Sequence, residues 1–316
     1  QGHEALSGSP VGKPCAEDAM RPSDSNRPMT RDITYATAAQ SRAGRLVIRA
    51  MENATGRLGL IRRAQGYEAE LGQGRSFWQV IPERLGLTLD VTAGHLDELP
   101  RQGPLVVIAN HPFGILDGLM LGHMLDHARQ GEFRILANAV FRRARELDRI
   151  LLPISFEESR AAVALNLQTR AAALAHLGQG GAIGVFPGGT VSTSARVFSH
   201  PMDPGWRNFT AKMIAKSGAT VVPVYFDGHN SRLFQIASRL HTNLRLGLLI
   251  RELKRRVDEP VRVVIGKPIA PGALAGLQSD PNALMQHLRR ATYALSPVPL
   301  RSYDPGYEFE AKYKSR

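Results

Sequence analysis

From about residue 76 onward, short continuous apolar runs alternate with longer stretches in which apolar positions recur three and four apart. PLVVIAN (104–110), GAIGVFP (181–187) and TVVPVYF (220–226) are unbroken apolar runs, the pattern of strands buried on both faces. LTLDVTA (87–93) alternates as a half-buried strand does. FRILAN (133–138), ILLPIS (150–155) and VRVVIGKPI (261–269) complete the set. Helical periodicity predicts helices near 76–86, 115–129, 157–178, 206–217 and 281–295, and two more within 231–256. Strands in alternation with helices imply an α/β fold with a mixed, largely parallel sheet flanked by helices. Pro223 interrupts one of the apolar runs, which predicts an edge strand or a bulge there.

Ahead of this region, 36–66 reads as basic amphipathic helix, with Leu46, Val47, Ile48, Met51, Leu58, Leu60 and Ile61 interleaved with arginines. Gly44, Gly56 and Gly59 are its candidate breaks. Residues 1–30 are polar and rich in Gly, Ser and Pro, as in a disordered tail. The expected organisation is a tail (1–30), a basic amphipathic segment (31–75), an α/β domain (76–300) and a C-terminal tail (301–316). The first thirty residues lack the apolar core of a secretory signal, and the longest apolar stretch, 104–125, is broken by Asn110, His111, Asp117 and His123. A soluble or peripheral protein is expected.

Charge adds a partner class. Forty Lys and Arg against 28 Asp and Glu leave +12, with pI ≈ 10.3, which points to an acidic partner. A nucleic-acid motif is missing and aromatics are only 6%, so base-stacking platforms are scarce. The basic residues instead sit on apolar-faced helices, in 42–63 and again at Arg239, Arg245, Arg251, Lys254, Arg255 and Arg256. That distribution suits an anionic membrane surface, and equally a solvated face over an ordinary core. A single cysteine, Cys15, excludes an intrachain disulfide and a Cys-rich metal site.

The segment with most chemistry is VVIANHPFGILDGLML. A strand ends at Asn110, His111 occupies the loop, Gly114 lets the loop turn, and Asp117 falls in the first turn of a helix. A carboxylate there is favoured by free backbone amides and should stay ionised. Beside an imidazole it holds one tautomer and stabilises the imidazolium, which makes His111 a general base. On spacing alone, a His and an Asp six apart are more often a loop residue and a helix cap. The second segment, GAIGVFPGGTVSTS (181–194), carries Phe186, Pro187, Gly188, Gly189 and Thr190. Two glycines let backbone amides approach a headgroup or an oxyanion, and an ordinary turn would look the same. His123 and His127 have metal-ligand spacing but no third ligand near them, so packing or surface roles are expected and no metal.

Taken in order, Asn110-His111 with Asp117, Phe186-Pro187 with Gly189-Thr190, and Val222-Pro223-Val224 resemble the signature of the glycerolipid acyltransferase superfamily over about Phe77 to Ile269. The five residues between His111 and Asp117, where the family usually has four, resemble the hemolysin-like and ornithine-lipid branch with its NHPFG loop, including Phe113 and Gly114. The resemblance implies a His111–Asp117 dyad that activates a lysolipid hydroxyl against an acyl carrier protein or acyl-CoA thioester, with no cofactor. It also implies a peripheral location on the cytoplasmic face of an inner membrane. Amides near Gly188–Thr190, or the Asn110 side chain, would hold the oxyanion. The family's acceptor-binding Glu is Gly188 here, which favours a lyso-aminolipid such as lyso-ornithine lipid over lysophosphatidate. Arg196 or Arg207 would be the residues to capture a phosphate. The competing class is a non-enzymatic lipid-binding module on the same fold.

Overall fold

The computed structural model describes residues 33–39, 41–138, 145–155 and 159–309. The tail expected over 1–30 and the last residues, 310–316, lie outside them. Four helices precede the first strand: α1 (Arg42–Thr55), α2 (Arg57–Ala64), α3 (Tyr67–Gly72) and α4 (Phe77–Arg84). There follow β1 (Thr88–Ala93), β2 (Leu105–Ala109), α5 (Ile115–Arg129), β3 (Phe133–Asn138), α6 (Arg145–Asp148), β4 (Leu151–Ile154), α7 (Arg160–Gly178) and β5 (Ala182–Val185). A two-residue ribbon, β6 (Thr193–Ser194) against β7 (Pro201–Met202), leads to α8 (Asn208–Ser217) and β8 (Thr220–Phe226). The chain ends with α9 (Arg232–Leu240), α10 (Thr242–Lys254), β9 (Pro260–Ile265) and α11 (Pro281–Tyr293).

Among the described residues seven strands form one sheet in the order β1-β9-β8-β2-β5-β3-β4. β8, β2, β5, β3 and β4 run parallel, while β9 is antiparallel to β8 and carries β1 parallel to itself. The expected mixed, largely parallel sheet is therefore present. All five residues of β2 are buried, because helices cover both faces. One core packs α4, α5 and α10 against one face, and a second packs α7, α8 and α11 against the other.

Two local expectations, at Pro223 and at the candidate glycine breaks, are narrowed by the structure. Pro223 lies in the interior of a central strand, opposite Ile108 of β2, not at an edge. It is tolerated because its nitrogen faces β9 where that ladder is broken. The pairing stops at Val224–Ile265 and resumes only at the Val221–Ile269 bridge, and Gly266 N donates to Pro223 O. Of the three candidate glycine breaks, only Gly56 (φ +130°) divides the N-terminal helix. Gly44 and Gly59 sit inside helices, and a Cβ at Gly44 would meet the end of the Asn243 side chain at 2.8 Å. The short helix α3 falls within the 31–75 segment that was expected to be helical.

Candidate active site

β2, β5 and β8 are parallel neighbours, so the loops that leave their carboxyl ends converge. This adjacency unites three segments that are 116 residues apart in their most distant contact, Asn110 to Phe226. Asn110 donates through Nδ2 to Phe226 O at 2.9 Å and accepts from Phe226 N at 2.7 Å. Oδ1 and one Nδ2 hydrogen are thus engaged, and Asn110 ties β2 to β8 without lining the cavity beside His111.

His111 is clamped from three sides. Its carbonyl accepts from Ser192 N at 2.8 Å, its amide donates to Asp203 Oδ1 at 3.1 Å, and its ring stacks on Phe186 at 4.2 Å. Nδ1 lies 2.9 Å from Asp117 Oδ2, approached off the line of the ring N–H. The imidazole is 17% exposed and the carboxylate not at all. Gly114 (φ +100°) turns the chain into α5, and Asp117 Oδ2 accepts from the amides of Phe113 and Gly114 at 2.8 and 2.9 Å. The extra residue in the HPFGILD loop is absorbed by this turn. Complete burial pushes the Asp117 carboxyl above the usual carboxylate range, against the pull of His111 and the two amides. The helix-terminus amides are where the sequence put them, but desolvation is the larger influence.

Beside the imidazole lies an apolar cavity of about 310 Å³, walled by residues such as Tyr35, Trp78, Leu119, Ile135, Phe186 and Leu249. His111, Gly114, Gly189, Thr190 and Arg245 also line it. Tyr35 is held there by Glu52, which is fully buried and accepts from Tyr35 N and Thr34 Oγ1, both at 2.6 Å. The remaining sequence candidates stand behind this wall. Phe113 is a core residue beneath the Arg256 guanidinium (4.3 Å to the ring), and Pro187 gives its carbonyl to Arg207 N at 2.9 Å. Gly188 faces Asp203: a Cβ at 188 would meet Asp203 Cβ at 3.0 Å and Oδ2 at 3.4 Å.

Asp203 is the site residue that sequence reasoning missed. Fully buried, it accepts from His111 N, from Ser192 Oγ at 2.5 Å and from Trp206 Nε1 at 2.9 Å. This carboxylate borders the space that a side chain at 188 would enter, and it supports the His111 loop instead of facing the cavity. Nothing in HPMDPGW distinguishes it from a turn aspartate. Arg245 was also misplaced by its pattern. It reads as part of a basic helix face, but it is buried, with its guanidinium on Thr193 Oγ1, Thr190 Oγ1 and Val191 O. Arg207 forms a paired contact with Glu308 at 2.9 and 3.0 Å, so it is engaged in structure. His123 and His127 do not converge: one bonds Trp78 O at 2.9 Å and the other approaches Asp97 at 3.3 Å.

The sequence model of the Acyltransferase family matches residues 90–227, which contain His111, Asp117, the 186–190 turn and β8. Two proteins named lyso-glycine lipid O-acyltransferase are similar to this chain. The one from Phocaeicola vulgatus is 26% identical over 180 residues, 55% of this chain and 62% of its own length. The one from Bacteroides thetaiotaomicron is 25% identical over 208 residues, 62% of this chain and 71% of its own length. The match thus spans less than two thirds of the first of these relatives. Among solved structures, the 1-acyl-sn-glycerophosphate acyltransferase PlsC of Thermotoga maritima aligns over 82% of this chain and 83% of its own, with a TM-score of 0.45 and 16% identity. The match to the Acyltransferase family thus lies on the domain that holds His111, Asp117 and the 186–190 turn.

Proposed function

We propose that the protein is an O-acyltransferase that moves a fatty acyl group from an acyl carrier protein or CoA thioester to the hydroxyl of a lysolipid. The observation that carries this reading is the His111 ring, 2.9 Å from a fully buried Asp117 and open to an apolar cavity. Asp117 holds Nδ1, which leaves Nε2 to take the proton of the acceptor hydroxyl as that oxygen attacks the thioester carbonyl. The C–O bond forms, the C–S bond breaks, and the proton passes from Nε2 to the departing thiolate. No covalent enzyme intermediate is needed. The amide of Gly189 is turned onto Phe186 O, so the amides of Gly188 and Thr190 are the candidates to face the developing oxyanion.

The favoured acceptor is a lyso-aminolipid, such as lyso-ornithine or lyso-glycine lipid. The absent Glu at 188 and the names of the two relatives both support an amino-acid headgroup over lysophosphatidate. The protein would work as a peripheral protein on an anionic surface, the cytoplasmic face of an inner membrane. Leu46 and Val47 on α1 and Leu233, Ile236 and Leu240 on α9 are exposed, with Arg42, Arg45 and Arg232 exposed on the same helices. Both helices pack on α10, which walls the cavity. No helix among the described residues is long and apolar enough to cross a membrane.

The test is lipid mass spectrometry and free-thiol release after the protein is supplied with acyl carrier thioester and a panel of lysolipids. Acylated aminolipid is the expected product. His111→Ala should lower its rate by about 10²–10⁴-fold, the usual worth of a general base. Equal rates in the variant would falsify the role of His111, and faster acylation of lysophosphatidate would overturn the acceptor.

A further inference from the structure

We propose that Arg245, with Thr190 beside it, is the seat for a single negative charge on the acceptor, a carboxylate such as that of an amino-acid headgroup. The inference deepens the acyl-transfer reading and rests on it. Arg245 is 4% exposed, yet every described contact of its guanidinium is to a neutral group: Thr193 Oγ1 at 2.6 Å, Thr190 Oγ1 at 2.9 Å and Val191 O at 2.7 Å. The rings of Phe309 and Phe234 lie 4.2 and 5.2 Å from it. Among the described residues no ion pair joins a carboxylate to it within 4.0 Å; buried Arg129 and Arg289 are likewise held by carbonyls, but neither lines the cavity. A buried cation without a counter-charge is costly, and burial draws the Arg245 pKa down to about 9.

The position of this cation points to the ligand that would complete it. Arg245 and His111 line one cavity. They are also fixed to one stretch of backbone: Val191 O takes the Arg245 hydrogen bond, and the next amide, Ser192 N, holds His111 O. An amphiphile whose anion sits on Arg245 therefore has its hydroxyl side toward His111 and its chain among apolar walls. Apart from His111, Arg245 is the one basic side chain on the described cavity wall. One guanidinium balances a monoanion; with both Nη2 hydrogens on Thr190 Oγ1 and Val191 O, the anion would meet the remaining Nη1 hydrogen and displace the Thr190 hydroxyl to gain a second donor. A phosphate monoester, at about −1.5 to −2, would be left under-neutralised.

The experiment uses N-palmitoylglycine, which has the carboxylate and a chain but no hydroxyl to acylate, beside its methyl ester. Affinities are measured by calorimetry for wild type, Arg245→Gln, Arg245→Lys and Thr190→Val, each checked for fold by circular dichroism. Wild type should bind the acid about 10–100-fold more tightly than the ester, the range expected for hydrogen bonds to a charged group. Arg245→Gln should bind the two alike, and Arg245→Lys and Thr190→Val should keep part of the preference. Should Arg245→Gln not fold, the wild-type comparison and Thr190→Val decide. Equal binding by wild type, or a full preference in a folded Arg245→Gln or in Thr190→Val, overturns the proposal. Tighter, Arg245-dependent binding of lysophosphatidate overturns the choice of carboxylate. Because N-palmitoylglycine cannot react, an acid preference without any acyl transfer would count against the transfer reading alone.

Discussion

Replacing Asp203 with Asn keeps the shape of the side chain but removes one acceptor from a site where three donors meet. In the native protein one oxygen serves His111 N and Ser192 Oγ and the other serves Trp206 Nε1. If the amide oxygen of Asn stays on His111, its NH₂ faces the indole N–H, and two donors are buried against each other. Turned the other way, the NH₂ faces the His111 amide. Either way at least two buried polar groups lose a partner, at about 1–3 kcal/mol each, so the variant should be destabilised by about 2 kcal/mol or more. Trp206→Phe removes the opposing donor. The double variant should therefore recover part of that loss, with a coupling on the order of 1–2 kcal/mol between 203 and 206. Urea denaturation of the two single variants and the double variant measures this, and kcat on the same proteins reports whether His111 remains in place. Asp203→Ala, which frees the His111 amide, should lose more kcat than Asp203→Asn does. Additive stabilities, or native stability and kcat in Asp203→Asn, would show that the carboxylate does not organise the loop.

Three further outcomes follow from the same geometry. The Asp117 carboxyl has a folded pKa raised by burial above its unfolded value of about 3.9. The stabilising contribution of its protonated form is complete below that value and disappears as pH rises through the folded pKa. Stability differences between wild type and Asp117→Asn, measured from pH 4 upward, should shift toward the variant over that window while its activity stays severely reduced; parallel curves would contradict the burial argument. A Cβ at Gly122 would sit 2.0 Å from Trp78 Cε3, so Gly122→Ala should cost about 1–3 kcal/mol by forcing α5 off α4, read as a lower thermal midpoint. Binding to anionic vesicles should weaken with salt and fall in a Leu46→Glu/Leu240→Glu variant, at about 1 kcal/mol per basic residue near the surface; flotation unaffected by salt would mean that these helices only cover the core.

The strands and most helices were legible because burial on both faces leaves an unmistakable apolar run, as in 105–109 and 182–185, and because apolar positions three and four apart mark the helices between them. The His111–Asp117 pair was legible for a local reason: the partners share one turn, with Gly114 between them. Asp203 and Arg245 were not, since their partners lie 92 and 52 residues away along the chain and become neighbours only when the sheet assembles. Whether Pro223 marks an edge or a bulge was not legible, because that depends on which neighbouring ladder its nitrogen faces; the one-residue slip between Val224–Ile265 and Val221–Ile269 gives the bulge.

The segment that crosses the site near the end of the described chain carries an implication for how the protein is made. Gly306 N donates to Asp203 O, Tyr307 N donates to Thr193 O, and Phe309 lies over Arg245. A Cβ at Gly306 would fall 1.9 Å from Met202 O, so the fit admits little slack. During vectorial synthesis, His111 and Asp117 leave the ribosome almost two hundred residues before this clasp does. A nascent chain that extends through α10 but not to this segment has the cavity walls and Arg245 without their cover. The interval is one in which a chaperone or the membrane surface has access to that cavity, and the arrival of the segment around Gly306 is the event that ends it.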